Sequence, residues 1–435
     1  MRAMNLIALI SSVWILSLPF YHYSLVGSLS LDNIIGPMLF LLIAARVLIG
    51  AHSLSKEQLT NMALASATIL IYLLTHTANL LGTQHAVWSS MHGIAKSMLY
   101  FLLPILIVNS ERDLKRLSMA MVAVMVIGAI SALMSALGLV SFDFARQAES
   151  RIQLDYIPKS VGLFTAYGDM ALLVALAVLL ALGSRVHELA FARARLVVGM
   201  VIVVSALVGI ISMQSRNIIL TVSAAILTYF LLGYWRRRGG AWVGKLYFSL
   251  LSVITVAVLA IMLFMGPLID WVEGLGGTSE AAATVHARLE QYKFGWSLVE
   301  HRILLGADPA TYESNELAVT FIHNMWIREL VQSGLLGIFA VMLFYYRAMR
   351  IQVARLKADS RSLARVYVAV LISSLVASQF YPANTPVYWV IMGLATALPS
   401  RRKREMTEVR AREVPVTRSD GLLLARRRSG GVGKL

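Results

Sequence analysis

Twelve stretches of this chain are too long and too apolar for an ordinary water-soluble domain. They lie near residues 5–20, 33–50, 61–80, 93–109, 116–139, 164–184, 196–213, 217–234, 246–265, 325–346, 364–380 and 385–399. A helix of about 20 apolar residues crosses the hydrocarbon core of a bilayer. Inside lipid each segment must satisfy its own backbone hydrogen bonds, so these runs are expected as helices. Composition agrees: 58% of residues are hydrophobic, 14% are charged and the mean hydropathy is +0.71, whereas soluble domains carry about 25% charged residues. The expected fold is an all-α polytopic membrane protein with about 12 transmembrane helices. The opening MRAMNLIALISSVWILSLPF has a charged start and an apolar core but no small-x-small cleavage site, so it reads as a retained first span.

Positive charge sets the orientation. With the N-terminus in the cytoplasm, basic residues cluster on the cytoplasmic connections, and only Lys96, Arg146, Arg151, Lys159, Arg216, Arg288, Lys293, Arg302 and Arg328 fall outside. The net charge of +16 is then a topology signal and calls for no nucleic-acid partner. Both termini are expected inside. The basic tail, 400–435, is expected to be disordered and to act as a solvated topology anchor, with contact to anionic lipid as the alternative. The chain has no cysteine, which excludes disulfides, zinc–thiolate sites and thiol nucleophiles.

One long polar segment, 266–324, separates the spans of 1–265 from those of 325–399 and is placed outside. Long structured insertions among short connections commonly carry function. The segment opens with a glycine-rich turn, Glu273 to Ser279, and 282–300 reads as a helix capped by Thr278 or Ser279. Val285, Leu289, Tyr292, Trp296 and Val299 form one apolar stripe, suited to the bilayer or to the outer ends of the spans. Arg288 lies at the edge of that stripe, with Gln291, Gly295 and Arg302 nearby on the polar side and Lys293 and His286 on the opposite flank.

Two further positions stand out. Arg216, in ISMQSRNIIL, lies between two spans with almost no loop. An arginine at the centre of a membrane helix costs roughly 2.5–3.5 kcal/mol, and less at the edge. At the outer start of the eighth span, helix N–H groups and the helix dipole would join it in attracting an anion. His323 opens the tenth span beside Asn324. A helix N-terminus disfavours imidazolium and so keeps the ring neutral, as a general base requires. Asn324 is positioned to orient that ring or a substrate. The histidines show no metal-ligand spacing, and the outward acids form no tight cluster.

These stretches together resemble the O-antigen ligase and polymerase superfamily. The parts that match are the Ser215-Arg216 pair opening a mid-chain span, Arg288 and Trp296 followed by a Leu305-Gly306 turn, and His323-Asn324 followed by Gly334-Leu-Leu-Gly337. Many relatives carry a small polar pair where this chain has Tyr167-Gly168, just before Asp169. The likeness covers about 160–340. It implies glycan transfer at the periplasmic face of the bacterial inner membrane. The donor would be an O-antigen polysaccharide on undecaprenyl diphosphate, and the acceptor a sugar hydroxyl of lipid A-core. Arg216 and Arg288 would bind the diphosphate and His323 would be the base. Gln214, Ser215, Gln291, Tyr292, Lys293, Trp296 and Asn324 would support them. With no paired carboxylates in view, transfer is expected to be inverting, metal-independent and free of cofactors. One dominant outward segment and a twelve-span layout favour a ligase. An O-antigen polymerase or a protein O-oligosaccharyltransferase would use the same donor. A transporter of lipid-linked saccharide is the reading from another class, and it would place ionisable groups and broken helices near the midplane.

Overall fold

The computed structural model describes residues 2–20, 24–26, 29–50, 54–78, 84–140, 163, 167–182, 195–213, 215–237, 280–307, 324–358, 363–379 and 385–397. Among these the chain is helical apart from one short antiparallel hairpin, Ser24–Val26 with Leu29–Ser30. The helices are α1 Arg2–Leu16, α2 Leu31–Leu48, α3 Lys56–Ala78, α4 Gln84–Ile107, α5 Glu111–Ala136 and α6 Tyr167–Leu182. They continue as α7 Arg195–Met213, α8 Arg216–Arg237, α9 Glu280–Val299, α10 Met325–Ala358, α11 Ala364–Ala377 and α12 Pro386–Thr396. Each expected span except 246–265 meets a helix, and α9 is the expected helix of the polar segment. The span at 246–265, the glycine turn with Thr278 and Ser279, Gln214, His323 and the basic tail lie outside the described residues.

Four stretches, Lys56–Thr75, Glu111–Ala136, Asn217–Tyr234 and Met325–Lys357, are long and apolar enough to cross a membrane. The outward surface fits lipid: Val197, Met200, Val203, Val204, Leu207 and Ile211 of α7 are all exposed, and an apolar face of that extent is unfavourable in water. α6 is the opposite case. It is apolar all round, and Met170 to Ala177 are buried without exception. Its alanines at 171, 175 and 177 keep its surface small, which lets α5, α7, α8 and α11 pack closely around it.

Polar contacts tie the helices together at the end where the basic residues lie. Arg347 holds Asn61 and Glu57 of α3, the latter at 2.7 Å, and Arg355 reaches Glu111 at the start of α5, also at 2.7 Å. Arg365 lies over the Tyr229 ring, 3.7 Å from its centroid, and donates to the Tyr229 carbonyl at 2.8 Å. Gln58 donates to the Ile105 carbonyl at 3.0 Å, and Gln352 donates to that of Ala395. Each contact joins two segments that positive charge assigns to the same side.

Two expected spans turn out differently. The last, 385–399, is a helix of 11 residues, α12. Thr385 and Pro386 form its start, the hydroxyl accepting from the Tyr388 N–H and the proline at the first turn. Ala397 is extended and ends it. At 1.5 Å per residue α12 rises about 16 Å, half the hydrocarbon thickness. The tenth span, 325–346, is not one rod. Gly334 has φ 63° and ψ −161° and breaks α10 into 325–333 and 335–358. An unbroken helix would separate Trp326 from Tyr345 by about 28 Å, yet their ring centroids are 6.2 Å apart. The first part therefore folds back along the second.

The break is covered by the residues that follow α9. Ala307 N–H donates to the Val331 carbonyl at 2.7 Å, and Leu335 N–H donates to that of Ile303 at 2.9 Å. A Cβ on Gly334 would stand 2.6 Å from Leu305 N and closer still to the Leu304 carbonyl. At Gly138 φ is likewise positive, at +70°, but nothing lies within 4 Å. Gly138→Ala should cost only the left-handed penalty, about 1–2 kcal/mol. Gly334→Ala should cost clearly more, because the strap must also move. Thermal unfolding of the purified variants compares the two, and equal shifts would show that the strap contributes nothing.

Candidate functional site

Four helix starts gather around the end of α11. α8 and α11 pack along their lengths, and Arg365, at the start of α11, lies on Tyr229 near the end of α8. The two helices are therefore antiparallel. From Arg365 to Ser378 the chain climbs about 20 Å, and the same climb back along α8 from Leu231 ends at Ile218. The start of α8 thus lies level with the end of α11. Arg216 is its first residue, and the Ser215 carbonyl accepts from the Ile218 N–H at 3.1 Å. The first four N–H groups of a helix have no partner inside it and suit an anion. At Arg216 and Arg288 the backbone alone is described.

The folded-back part of α10 docks on the same place. Met325 N–H donates to the Ser378 carbonyl at 2.9 Å, and Trp326 Nε1–H to Ser378 Oγ at 3.0 Å. Asn324 proves to be a structural cap. Its Oδ1 accepts from the Trp326 and Ile327 N–H groups at 2.9 and 3.2 Å, and its Nδ2 donates to Gln379 Oε1 at 3.3 Å. Both ends of the amide are thus engaged within the protein. Asn324 holds the start of α10 on α11, and the residue before it is His323.

The third start is that of α6. Asp169, in its first turn, is fully buried and accepts from the Thr385 hydroxyl, while its Oδ2 has no partner among the described residues. Thr385 caps α12, the fourth start, accepting from Tyr388 N–H at 3.3 Å. The one hydroxyl thus binds α12 to α6. Tyr345 OH lies 2.9 Å from Ser374 Oγ, and Tyr388 packs beside Tyr345 with ring centroids 6.2 Å apart, which sets the α12 start next to the last turn of α11.

α9 approaches from the polar segment and packs on α10. The described part of its apolar stripe faces the protein: Tyr292 and Trp296 lie against the core and Val299 is fully buried. Lys293 pairs with Glu290 at 3.2 Å on the exposed face. Gln291, one turn after Arg288, has its Oε1 enclosed and without a partner among the described residues. After α9, Leu305 and Gly306 N–H groups both bond to the Arg302 carbonyl, at 3.0 and 2.9 Å, and Gly306 takes φ 82°. A Cβ there would meet the Val331 carbonyl at 2.6 Å. The Leu305-Gly306 turn and the Gly334-to-Gly337 stretch are therefore two halves of one contact.

Sequence reasoning missed three features here. Asp169 is the only charge in α6, a signal that was available. Glu329 is buried and bonded to the Tyr72 hydroxyl of α3, a pairing across 257 positions that no local pattern carries. Arg328, on the folded-back helix, looked like one outward charge among nine. Among the described residues no three histidine, aspartate or glutamate side chains gather as metal ligands.

The Asp169–Thr385 link is open to test. Thr385→Val removes a cap, worth about 1 kcal/mol, and leaves a buried carboxylate with one hydrogen bond fewer, worth about 1–3 kcal/mol. Thr385→Ser keeps both. The valine variant should unfold at a clearly lower temperature and the serine variant close to the parent. Equal losses would assign the effect to the threonine methyl group. No protein-family model matches the chain, and no curated protein does either.

Proposed function

We propose that the chain is a glycosyltransferase of the outer face of the bacterial inner membrane, an O-antigen ligase by its motifs. The supporting observation is one of placement. The residues after His323 begin a half-helix docked on the end of α11, level with Arg216 at the start of α8, while α9 with Arg288 packs on that same α10. Three separated stretches that carry the resemblance thus belong to helices that meet.

The chemistry follows from the residue types. The donor is a polysaccharide joined through diphosphate to undecaprenol. A hydroxyl oxygen of lipid A-core attacks the anomeric carbon, and the carbon–oxygen bond to the diphosphate breaks. The electron pair leaves with undecaprenyl diphosphate, and the hydroxyl proton passes to His323. Charge grows on the leaving phosphate, where a cation stabilises the transition state. Arginine suits the task because its planar fork makes two parallel bonds to phosphate. Arg216 and Arg288 take that part, helped by the helix starts around α11. Attack opposite the leaving group inverts the anomeric centre.

Charge places both termini in the cytoplasm and the 266–324 segment outside. A polymerase or a protein O-oligosaccharyltransferase shares the donor half of this mechanism and differs in the acceptor. A transporter of lipid-linked saccharide is favoured by a separate observation: α10 is broken at Gly334, and two carboxyls, Asp169 and Glu329, are buried among apolar helices.

Reconstituted protein, lipid-linked glycan and separate acceptors distinguish these readings by product size on a gel. Core lipid A as the productive acceptor marks a ligase, a second lipid-linked glycan a polymerase, and a pilin-like protein a protein transferase. Movement of donor across a vesicle wall without product marks a transporter. Arg216→Ala and Arg288→Ala should each lower transfer by about 10²–10³-fold, and wild-type turnover in either removes the diphosphate clamp. His323→Ala should lower it by about 10²–10⁴-fold, and full turnover there would mean another base. Transfer should survive EDTA; loss on chelation and return on adding a divalent ion would overturn the metal-independent scheme.

A further inference from the structure

The second part of α10 carries one outward stripe. Leu336, Phe339, Leu343, Tyr346 and Arg350 recur at i, i+3, i+7, i+10 and i+14, which is one face of a helix. Leu336, Phe339, Tyr346 and Arg350 are exposed, while Gly337, Ile338, Ala340, Val341, Phe344 and Tyr345 beside them are buried. Along the stripe the residues are first apolar, then tyrosine, then arginine. That order marks the edge of a bilayer, where tyrosine sits at headgroup level and a long basic side chain reaches water. The Arg347–Glu57 pair stands at the same level, with Glu57 half exposed. One membrane boundary therefore lies near 346–350.

Depth follows from helix geometry. Leu336 stands about 15 Å up the helix from Tyr346 and about 21 Å from Arg350. The hydrocarbon core is about 30 Å thick, so Leu336 lies inside it. Beside Leu336 runs the strap that follows α9. Leu335 N–H donates to the Ile303 carbonyl at 2.9 Å, and Leu336 N–H approaches the Leu304 carbonyl at 3.5 Å. Leu304 is 61% exposed and Leu305 is exposed as well.

Irregular backbone at that depth needs its polar groups taken up by protein. The strap meets this condition. Its carbonyls at 303 and 304 face the N–H groups after the break, the Leu305 and Gly306 N–H groups bond to the Arg302 carbonyl, and Ala307 N–H donates to Val331. Ile303 lies against the core, and Gly306 and Ala307 are buried. What the strap turns outward is two leucine side chains. Arg302, two positions before Leu304, is long enough to reach back to water.

We propose that residues 303–307 lie within the hydrocarbon of the bilayer, with Leu304 and Leu305 against lipid chains alongside Leu336 and Phe339. The polar segment then touches more than the surface of the membrane: it dips in at the strap and is anchored there. Because only a short turn separates α9 from the strap, the anchor also holds α9 at the membrane. This placement goes beyond glycosyl transfer and holds whatever the substrate.

The chain has no cysteine, so an introduced one carries the only label. The full chain in phosphatidylcholine nanodiscs is labelled with a nitroxide at Leu304→Cys. Its relaxation is read with oxygen, which concentrates in lipid, and with a nickel chelate, which stays in water. Phe339→Cys is the lipid reference, and Glu290→Cys, on the exposed face of α9, is the water reference. Leu304→Cys should match Phe339→Cys, with oxygen the stronger relaxer, and the ratio should reverse at Glu290→Cys. A ratio at Leu304→Cys like that of Glu290→Cys puts the strap in water and overturns the inference. Weak relaxation by both reagents places another helix or a second copy over the strap and overturns it too. Should Leu304→Cys not fold, Leu305→Cys probes the same strap, and the same outcomes decide.

Discussion

A break in a membrane helix exposes N–H and carbonyl groups that lipid cannot satisfy. In this protein the break at Gly334 is closed by the backbone of the polar segment. Ala307 donates across to Val331, and Ile303 accepts from Leu335. Everything at the candidate site descends from that strap. It lets 325–333 fold back, and folding back delivers Asn324 and Trp326 to Ser378 instead of to the end of a straight rod. It also fixes α9, since only a short turn separates Val299 from Ile303. A side chain at Gly334 or Gly306 would strike strap or helix backbone, so neither glycine is exchangeable.

The two ends of the bundle use polar groups differently. At the basic end, ion pairs join helices where water is close: Glu57 is about half exposed in its pair with Arg347, at 51%. Such pairs lose little hydration and add little stability, but they fix which helices are neighbours. At the other end, hydroxyls, amides and backbone groups make the joints through Ser378, Asn324 and Thr385. There Asp169, Gln291 and Arg328 each keep an enclosed atom without a hydrogen-bond partner among the described residues. Native proteins leave few such atoms, because each forfeits solvation without return.

Hydropathy made the helices legible, because a 20-residue apolar run has one stable form in lipid. The starts of α8 and α9 were equally readable, since Arg216 follows almost no loop and the Tyr292–Trp296–Val299 stripe needs a helix to align. Depth was not readable. Residues 325–346 are apolar enough to read as one span, although Arg328, Glu329 and Gln332 make the first part more polar than the rest. The choice between a rod and a hairpin belongs to a single dihedral at Gly334 and to a strap thirty positions away. The capping role of Asn324 was hidden for a related reason: only a helix that begins in mid-structure needs a buried cap, and asparagine is among the best residues for it. Glu329 and Tyr72 meet only in the folded bundle.

Short helices give the site its position. α11 has 14 residues and α12 has 11, so they rise about 21 and 16 Å and cannot both end at a membrane surface. The end of α11 and the start of α12 lie side by side, with the start of α10 docked on the same turn. Non-helical backbone is tolerated at that depth where protein buries it or a cavity receives it. On the proposed reading this junction answers a geometric demand. The donor's tail lies in lipid while its sugar must meet an acceptor from the water side, so the diphosphate between them has to be gripped at the boundary. A phosphate drawn below the rim also loses water, and guanidinium groups and helix dipoles then act on it through a weaker dielectric. The break at Gly334 thus accounts for the buried cap at Asn324 and for the place where the start of α10 meets the end of α11.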